Sequence, residues 1–159
     1  MTNTIRTLLL IGTHAAAVGL GFGIGIYALP ILTAPDSPSV EQVQSAAAIS
    51  SFQGEFRRDL ADSDALHWGE GTVSVGSSAI SFEGNLAPGP DYRLYLSPKF
   101  VETEADFEAL KSQMVQVGPV KTFENFVIPV DTNIDPAQFN AVIIWCEAFG
   151  QFITAAEYQ

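Results

Sequence analysis

The sequence predicts an all-β domain, an antiparallel β-sandwich or flattened barrel with one short helix, preceded by a single N-terminal transmembrane helix. Three observations lead to this prediction. A long uncharged apolar stretch opens the chain, and many short runs rich in Val, Ile, Phe and Tyr follow it. One segment among these runs has helical periodicity instead. Short strands around one apolar core are typical of sandwiches and barrels.

The apolar stretch is long enough to cross a membrane. No charged residue lies between Thr7 and Pro35. At about 1.5 Å of rise per residue, a helix over residues 7–32 exceeds the roughly 30 Å thickness of a hydrocarbon core. We therefore expect residues 7–32 to hold the protein in the membrane as an uncleaved signal anchor. A cleaved signal peptide is the alternative, but Pro35 directly after Ala34 should hinder cleavage at the one small-residue site.

The charges around this stretch predict its orientation. Arg6 and the amino terminus precede it, whereas Asp36 and Glu41 follow it. The positive-inside rule then leaves residues 1–6 in the cytoplasm. We expect the main domain to lie in the periplasm or outside the cell.

Glycines recur within the predicted anchor. Gly19, Gly21, Gly23 and Gly25 form two overlapping G-x-x-x-G spacings, which permit two helices to pack closely as a dimer. Glycine is common in membrane helices in any case. Alternate positions also spread around a helix, so a dimer is the weaker of the two interpretations.

The outer part of the chain is acidic. All 18 Asp and Glu residues follow the apolar stretch, together with all but one of the 7 Lys and Arg residues. This charge argues against nucleic acid as a partner, because phosphate backbones are bound by basic surfaces. A single cysteine also excludes an internal disulfide, so the apolar core has to stabilise the fold.

Residues 33–50 are expected to link the anchor to the outer domain. The segment "TAPDSPS" has the Pro and Ser content of a linker. Ser39 and Gln42 have the spacing of a capping box, so a short stalk helix should begin after Ser39.

The outer domain comprises residues 51–159. Its apolar runs are bounded by turn-forming residues, which predicts nine short strands. The strands lie near residues 52–57, 65–68, 71–76, 79–83, 91–96, 115–119, 124–129, 140–146 and 149–156. The one helix covers residues 103–114, where Thr103 and Asp106 have N-cap spacing and Phe107 begins an apolar face.

Few residues of the outer domain are suited to chemistry. It has one histidine, His67, and one cysteine, Cys146. This pair cannot build a Cys-and-His zinc site or a multi-cysteine iron–sulfur cluster, so we expect no metal site of either kind. Hydrolysis is also disfavoured, because no G-x-S-x-G motif supplies a nucleophilic serine.

Cys146 has two interpretations. Strand alternation places its side chain on one face and that of Trp145 on the other. A buried thiol is most often an inert core residue. An unpaired thiol outside the cytoplasm risks oxidation, however, which favours a ligand or a redox group. His67 is likewise either a structural histidine or a partner of that thiol.

Four segments together resemble a known family. The order "HWGEGTVSV", "LAPGPDYRLYLS", "GPVKTFENFVIPVD" and "FNAVIIWCEAFGQF" is similar to that of the DM-thirteen domain of Skeletor-type animal cell-surface proteins and many bacterial envelope proteins. The resemblance covers roughly residues 51–158. The matching positions are His67, Gly69, Gly89, Pro90, Asp91, Tyr95, Leu96, Ser97, Trp145, Cys146, Phe149 and Ala156. Glu147 departs from it, because it replaces a usual basic residue.

The resemblance implies a membrane-anchored, bacterial-type protein whose β-sandwich-like domain transfers electrons at the cell surface. It implies that Cys146 is a redox thiol or binds a group such as haem, with His67 and Trp145 shaping the site. A redox partner protein in the cell envelope follows from that role. Nothing in the composition demands a cofactor, and no C-x-x-C-H motif attaches haem covalently.

Two other hypotheses remain open. The domain is a cofactor-free interaction or structural module of the cell envelope if Cys146 is only a core residue. It is a thiol enzyme if Cys146 is the nucleophile and His67 its base, which requires the two side chains to lie within hydrogen-bond reach.

Overall fold

The computed structural model describes residues 2–159. Its first element is the helix α1 (Asn3–Thr33), which is 31 residues long. This helix is long and apolar enough to span a membrane or to serve as a signal anchor. Its side chains stay outside the core of the protein.

Residues 52–157 contain eight β-strands. They are β1 (Phe52–Phe56), β2 (Gly69–Val75), β3 (Ala79–Leu86), β4 (Tyr92–Ser97), β5 (Val115–Val120), β6 (Phe126–Pro129), β7 (Ala141–Cys146) and β8 (Gln151–Glu157). These strands form two antiparallel sheets, with the orders β1-β2-β3-β6 and β5-β4-β7-β8. The two sheets enclose a common core, so the predicted antiparallel sandwich is confirmed.

Side chains from both sheets fill the core between them. On β7, Val142, Ile144 and Cys146 belong to the same apolar cluster as Val73 of β2 and Phe82 of β3. All five are almost fully buried. Because the side chains of a strand alternate between its faces, the odd-numbered residues of β7 are left to pack on the outer face of their sheet.

One predicted strand, near residues 65–68, is wrong. The backbone bends there instead. The carboxylate of Asp64 accepts hydrogen bonds from the backbone N–H groups of Leu66 at 2.7 Å and His67 at 2.8 Å. This Asx-type turn occupies the N–H groups that a strand would use for its ladder. The other eight predictions overlap the observed strands to within a few residues.

The helix α2 (Val40–Ala47) follows the linker. Ser39 and Gln42 form the predicted capping box, in which each side chain accepts a hydrogen bond from the backbone N–H of the other residue. Val43 is buried, and the helix packs against β3. The predicted stalk helix therefore exists, but it lies on the sandwich instead of projecting from it.

The helix α3 (Glu104–Leu110) covers the outer face of the second sheet. Thr103 caps it by accepting a hydrogen bond from the N–H of Asp106 at 3.1 Å, as predicted. A 3₁₀ turn, Lys111–Gln113, continues it, and another, Pro136–Gln138, precedes β7. The helix seals the odd-numbered face of β7 from solvent.

Candidate functional site

Cys146 is the last residue of β7, at one end of the sandwich. It pairs with Tyr92 of β4 on one side and with Gln151 of β8 on the other. Only 2% of its surface is exposed. The thiol therefore belongs to the core at this end of the sandwich.

A pocket of about 410 Å³ opens above the Cys146 end. Its domain wall includes His67, the loop 88–90, Tyr92 and Phe149, besides Cys146 itself. Residues of α1 form the facing wall; these are Gly23, Ile26 and Tyr27. The lining is mostly apolar, and the volume lies in the lower part of the range of small-molecule sites, about 300–1,000 Å³. The structure thus brings Cys146 and His67, two of the three predicted site residues, to one pocket.

His67 is held by the turn that replaces the predicted strand. Its Nδ1 lies 3.1 Å from the carboxylate of Asp64. The hydrogen bonds that Asp64 accepts from the backbone of Leu66 and from His67 outweigh the effect of burial and lower the pKa of this carboxyl. An ionised carboxylate at Nδ1 favours the tautomer in which Nδ1 carries the proton. Nε2 is then the nitrogen with a lone pair to offer to a ligand.

The Cys146 thiol is kept protonated. Burial raises its pKa, and nearby backbone groups, chiefly that of Phe149, offset this only in part. A thiol of this kind is a poor nucleophile, because the thiolate is the reactive form. The environment suits a slowly reacting thiol or one that ionises only when it binds a metal.

Gly89 shapes the pocket wall through Tyr92. A Cβ at position 89 would lie 2.5 Å from Cζ of the Tyr92 ring, closer than any real contact. The Tyr92 ring therefore occupies the space that a side chain at position 89 would need. Tyr92 is almost fully buried, and burial raises the pKa of its phenol. The Gly-Pro-Asp turn thus places its backbone directly against this ring.

Gly69 has a similar role across the sandwich. A Cβ there would meet the methyl group of Thr154 on β8 at 2.5 Å and a methyl group of Leu86 on β3 at 2.8 Å. Gly69, two residues after His67, therefore permits close packing of the start of β2 against Thr154 and Leu86.

Trp145, the third predicted site residue, lies on the other face of β7. Its ring stacks on Phe107 of α3, with 3.9 Å between ring centroids. Lys111 lies over the same two rings. The buried Nε1 of Trp145 has no hydrogen-bond partner within residues 2–159. The structure places this indole in a second apolar cluster, separated from the pocket by the strand itself.

A polar network beside Trp145 was not predicted from the sequence. The hydroxyl of Tyr95 is hydrogen-bonded to the carboxylate of Glu147, and Nζ of Lys111 lies 3.0 Å from the same carboxylate. Burial opposes ionisation of Glu147, but the hydrogen bonds from Tyr95 and Lys111 outweigh it and lower the pKa. The negative charge of Glu147 is therefore balanced by the ammonium group of Lys111.

The pocket also contains residues that sequence reasoning did not connect with Cys146. Gly23 and Tyr27 belong to α1, more than a hundred positions away in the chain. The position of Tyr27 near the end of the apolar stretch could have indicated a residue at the lipid interface, where aromatic side chains are common. Nothing local to Cys146 could have indicated that this helix would form a wall.

The donors at the pocket are a thiol and an imidazole. Among residues 2–159, no group of three His, Cys, Asp or Glu side chains could hold a metal ion. Haem requires fewer protein ligands, and both cysteine thiolate and histidine hold haem iron in other proteins. A mostly apolar lining also suits a porphyrin. The residues therefore fit a haem in kind, with Cys146 and His67 as the two donors.

Comparison with known proteins identifies a family. A family model described as Electron transfer DM13 matches residues 55–158. The search found no curated protein and no solved structure that matches the chain. The matched region runs from β1 to the residue after β8 and includes both His67 and Cys146. Because this match covers well over half of the sequence, the chain belongs to the DM13 electron-transfer family.

Proposed function

We propose that the protein is a membrane-anchored, extracytoplasmic electron-transfer module in which Cys146 is the redox group or the ligand of one. The observation that supports this most is the shared pocket of Cys146 and His67 at one end of the sandwich. Family membership supports electron transfer as the general activity. The apolar helix α1 supports the anchor.

The residues of the pocket have separable roles in this proposal. Cys146 would lose its proton on binding a metal, and the thiolate would then supply the charge that the buried site otherwise excludes. His67 offers Nε2 while Asp64 fixes its ring. The apolar walls exclude water, which sets the potential at which an electron is accepted. A bound haem would supply the one-electron exchange itself.

The electrons require a second protein. Cys146 is almost fully buried, and the net charge of the chain is −11 at pH 7. An acidic surface associates fastest with a partner that carries a basic patch. We propose that such a partner in the cell envelope donates or accepts the electron.

A cofactor-free interaction or structural module is the second candidate. It is favoured by the burial of Cys146 in the main core cluster, where it packs like a small apolar residue. A thiol enzyme is disfavoured, because the raised pKa of Cys146 keeps the thiolate rare at neutral pH.

A visible spectrum separates these candidates. The full chain is needed, because α1 provides one wall of the pocket. It is purified in detergent from a host that makes haem, and spectra are recorded oxidised and reduced. The proposal predicts a Soret band that is lost in Cys146→Ala.

Trp145→Phe is the matched control, since residue 145 lies on the other face of the same strand. This variant should keep the band. A colourless parent protein whose thiol reacts only after unfolding would establish the structural module instead. A band that survives in Cys146→Ala would show that Cys146 is not the ligand of the cofactor.

A further inference from the structure

Two loops at the Cys146 end present apolar side chains to the outside. Leu66 is 56% exposed and Phe149 is 54% exposed. Within residues 52–159 these are the exposed large apolar side chains, and both line the mouth of the same pocket. A single exposed apolar residue is ordinary on a protein surface. Two such residues at the same end of a domain form an apolar patch on that end.

The patch lies beside the helix α1. Ile26 and Tyr27 of that helix line the pocket together with Leu66 and Phe149. The uncharged part of this helix begins at Thr7, and the roughly 20 residues needed to cross a hydrocarbon core about 30 Å thick end near Ile26, which lines the pocket. The two loops are therefore level with the point where a membrane-spanning α1 leaves the lipid.

We infer that the Cys146 end of the sandwich sits directly on the membrane, with Leu66 and Phe149 inserted into the lipid interface. This inference rests on the proposed membrane span of α1. An apolar loop residue gains free energy by leaving water for the interface, and aromatic side chains are favoured at that depth. The mouth of the Cys146 pocket then faces the lipid headgroups.

The contact is apolar and not electrostatic. A chain with a net charge of −11 is repelled by anionic lipids. Asp64 and Glu147 lie near the two loops, so that this end of the domain has no excess of basic residues to attract phosphate groups. Uncharged phosphatidylcholine is therefore a sufficient lipid, and added salt leaves the contact unchanged.

The test uses tryptophan as a depth reporter in the full chain. Leu66→Trp and Phe149→Trp are reconstituted in phosphatidylcholine vesicles with and without brominated acyl chains, which quench nearby indoles. The signal of the parent chain, with Trp68 and Trp145, is subtracted. Both variants should lose fluorescence in brominated vesicles, at low and high salt alike, and emit at shorter wavelength than in water.

Ile49→Trp is the matched control. Ile49 is 71% exposed but lies at the opposite end of the sandwich, two residues before Ser51, whose N–H donates to the carbonyl of Val75 at the end of β2. Its added fluorescence should not change. Phe22→Trp, within α1, reports on the span itself. If Phe22→Trp is quenched while Leu66→Trp and Phe149→Trp behave like Ile49→Trp, the domain stands away from the membrane and the inference is wrong. If Phe22→Trp is not quenched, the span is wrong and the inference fails with it.

Discussion

Gly89 occupies a position where a methyl group has no room. Gly89→Ala would press its Cβ onto the ring of Tyr92, which is buried. We expect the free energy of unfolding to fall by about 1–3 kcal/mol, the usual cost of overpacking. Urea denaturation of the full chain in detergent measures this.

Gly118→Ala is the comparison for that variant. Within 4 Å its Cβ would meet only Cγ2 of Ile128, at 3.1 Å. It should cost clearly less than Gly89→Ala. Equal losses would show that the contact between Gly89 and Tyr92 is not what requires glycine.

The reactivity of Cys146 provides a second prediction at the residue scale. Burial raises the pKa of its thiol, so that the thiolate is scarce at pH 7 and shielded from solvent. A disulfide reagent should react with the folded chain far more slowly than with the chain in urea. Equally fast reaction in both states would contradict the burial and reopen a nucleophilic role.

The sequence supported some of these residue-level conclusions and not others. Strand alternation alone separated Cys146 from Trp145, because side chains of a strand alternate with a period of two. The contact between Gly89 and Tyr92 could not be predicted, since it depends on the rotamer of one ring. The stack of Trp145 on Phe107 also depends on how α3 lies on the sheet, which no local pattern specifies.

At the scale of elements, α2 is the most informative. Its start was predictable, because the capping box is a local signal between Ser39 and Gln42. Its position on the sheet was not, because an eight-residue helix with one buried side chain carries little directional pattern. In the segment near 65–68 the element itself was predicted wrongly. Its apolar residues are typical of a strand, but its backbone N–H groups donate hydrogen bonds to the carboxylate of Asp64 instead of to a neighbouring strand.

The docking of α2 should contribute to stability. Val43→Ala removes two methyl groups from a site that is 2% exposed, and we expect a loss of about 2 kcal/mol in the free energy of unfolding. Val40→Ala, one turn earlier and half exposed, should cost much less. If the two variants are equally stable, α2 is not held against β3 in solution.

At the scale of the whole molecule, buried acids define the response to high pH. Burial raises the pKa of Tyr92, Tyr95, Tyr158 and Cys146 above their ordinary values. In the unfolded chain these groups ionise from about pH 8.5 for cysteine and about pH 10 for tyrosine. The folded state then binds more protons than the unfolded state, so stability falls as pH rises.

We therefore expect the free energy of unfolding to decrease steadily above about pH 9, where the unfolded thiol and phenols begin to ionise. Tyr92→Phe removes one of these groups and should make the decrease shallower. Urea denaturation at a series of pH values measures both. Stability that is constant or rising over that range would contradict the buried state of these phenols.

The architecture as a whole was largely predictable. Many short apolar runs were enough to predict the sandwich, because the pattern repeats along the domain. One uninterrupted apolar stretch was enough to predict α1, because it is long. The pocket was not predictable, since it forms where α1 meets loops far away in the sequence. From the sequence, only the single histidine and single cysteine of the outer domain limited the kinds of chemistry that the pocket could support.

Voltammetry of the full chain in detergent tests the redox role of Cys146 most directly, because it detects an exchangeable electron whichever group holds it. The parent protein and Trp145→Phe should show the same reversible couple, and Cys146→Ala should lack it. A parent protein without a couple, or a couple that persists unchanged in Cys146→Ala, would contradict an electron-transfer site at this cysteine.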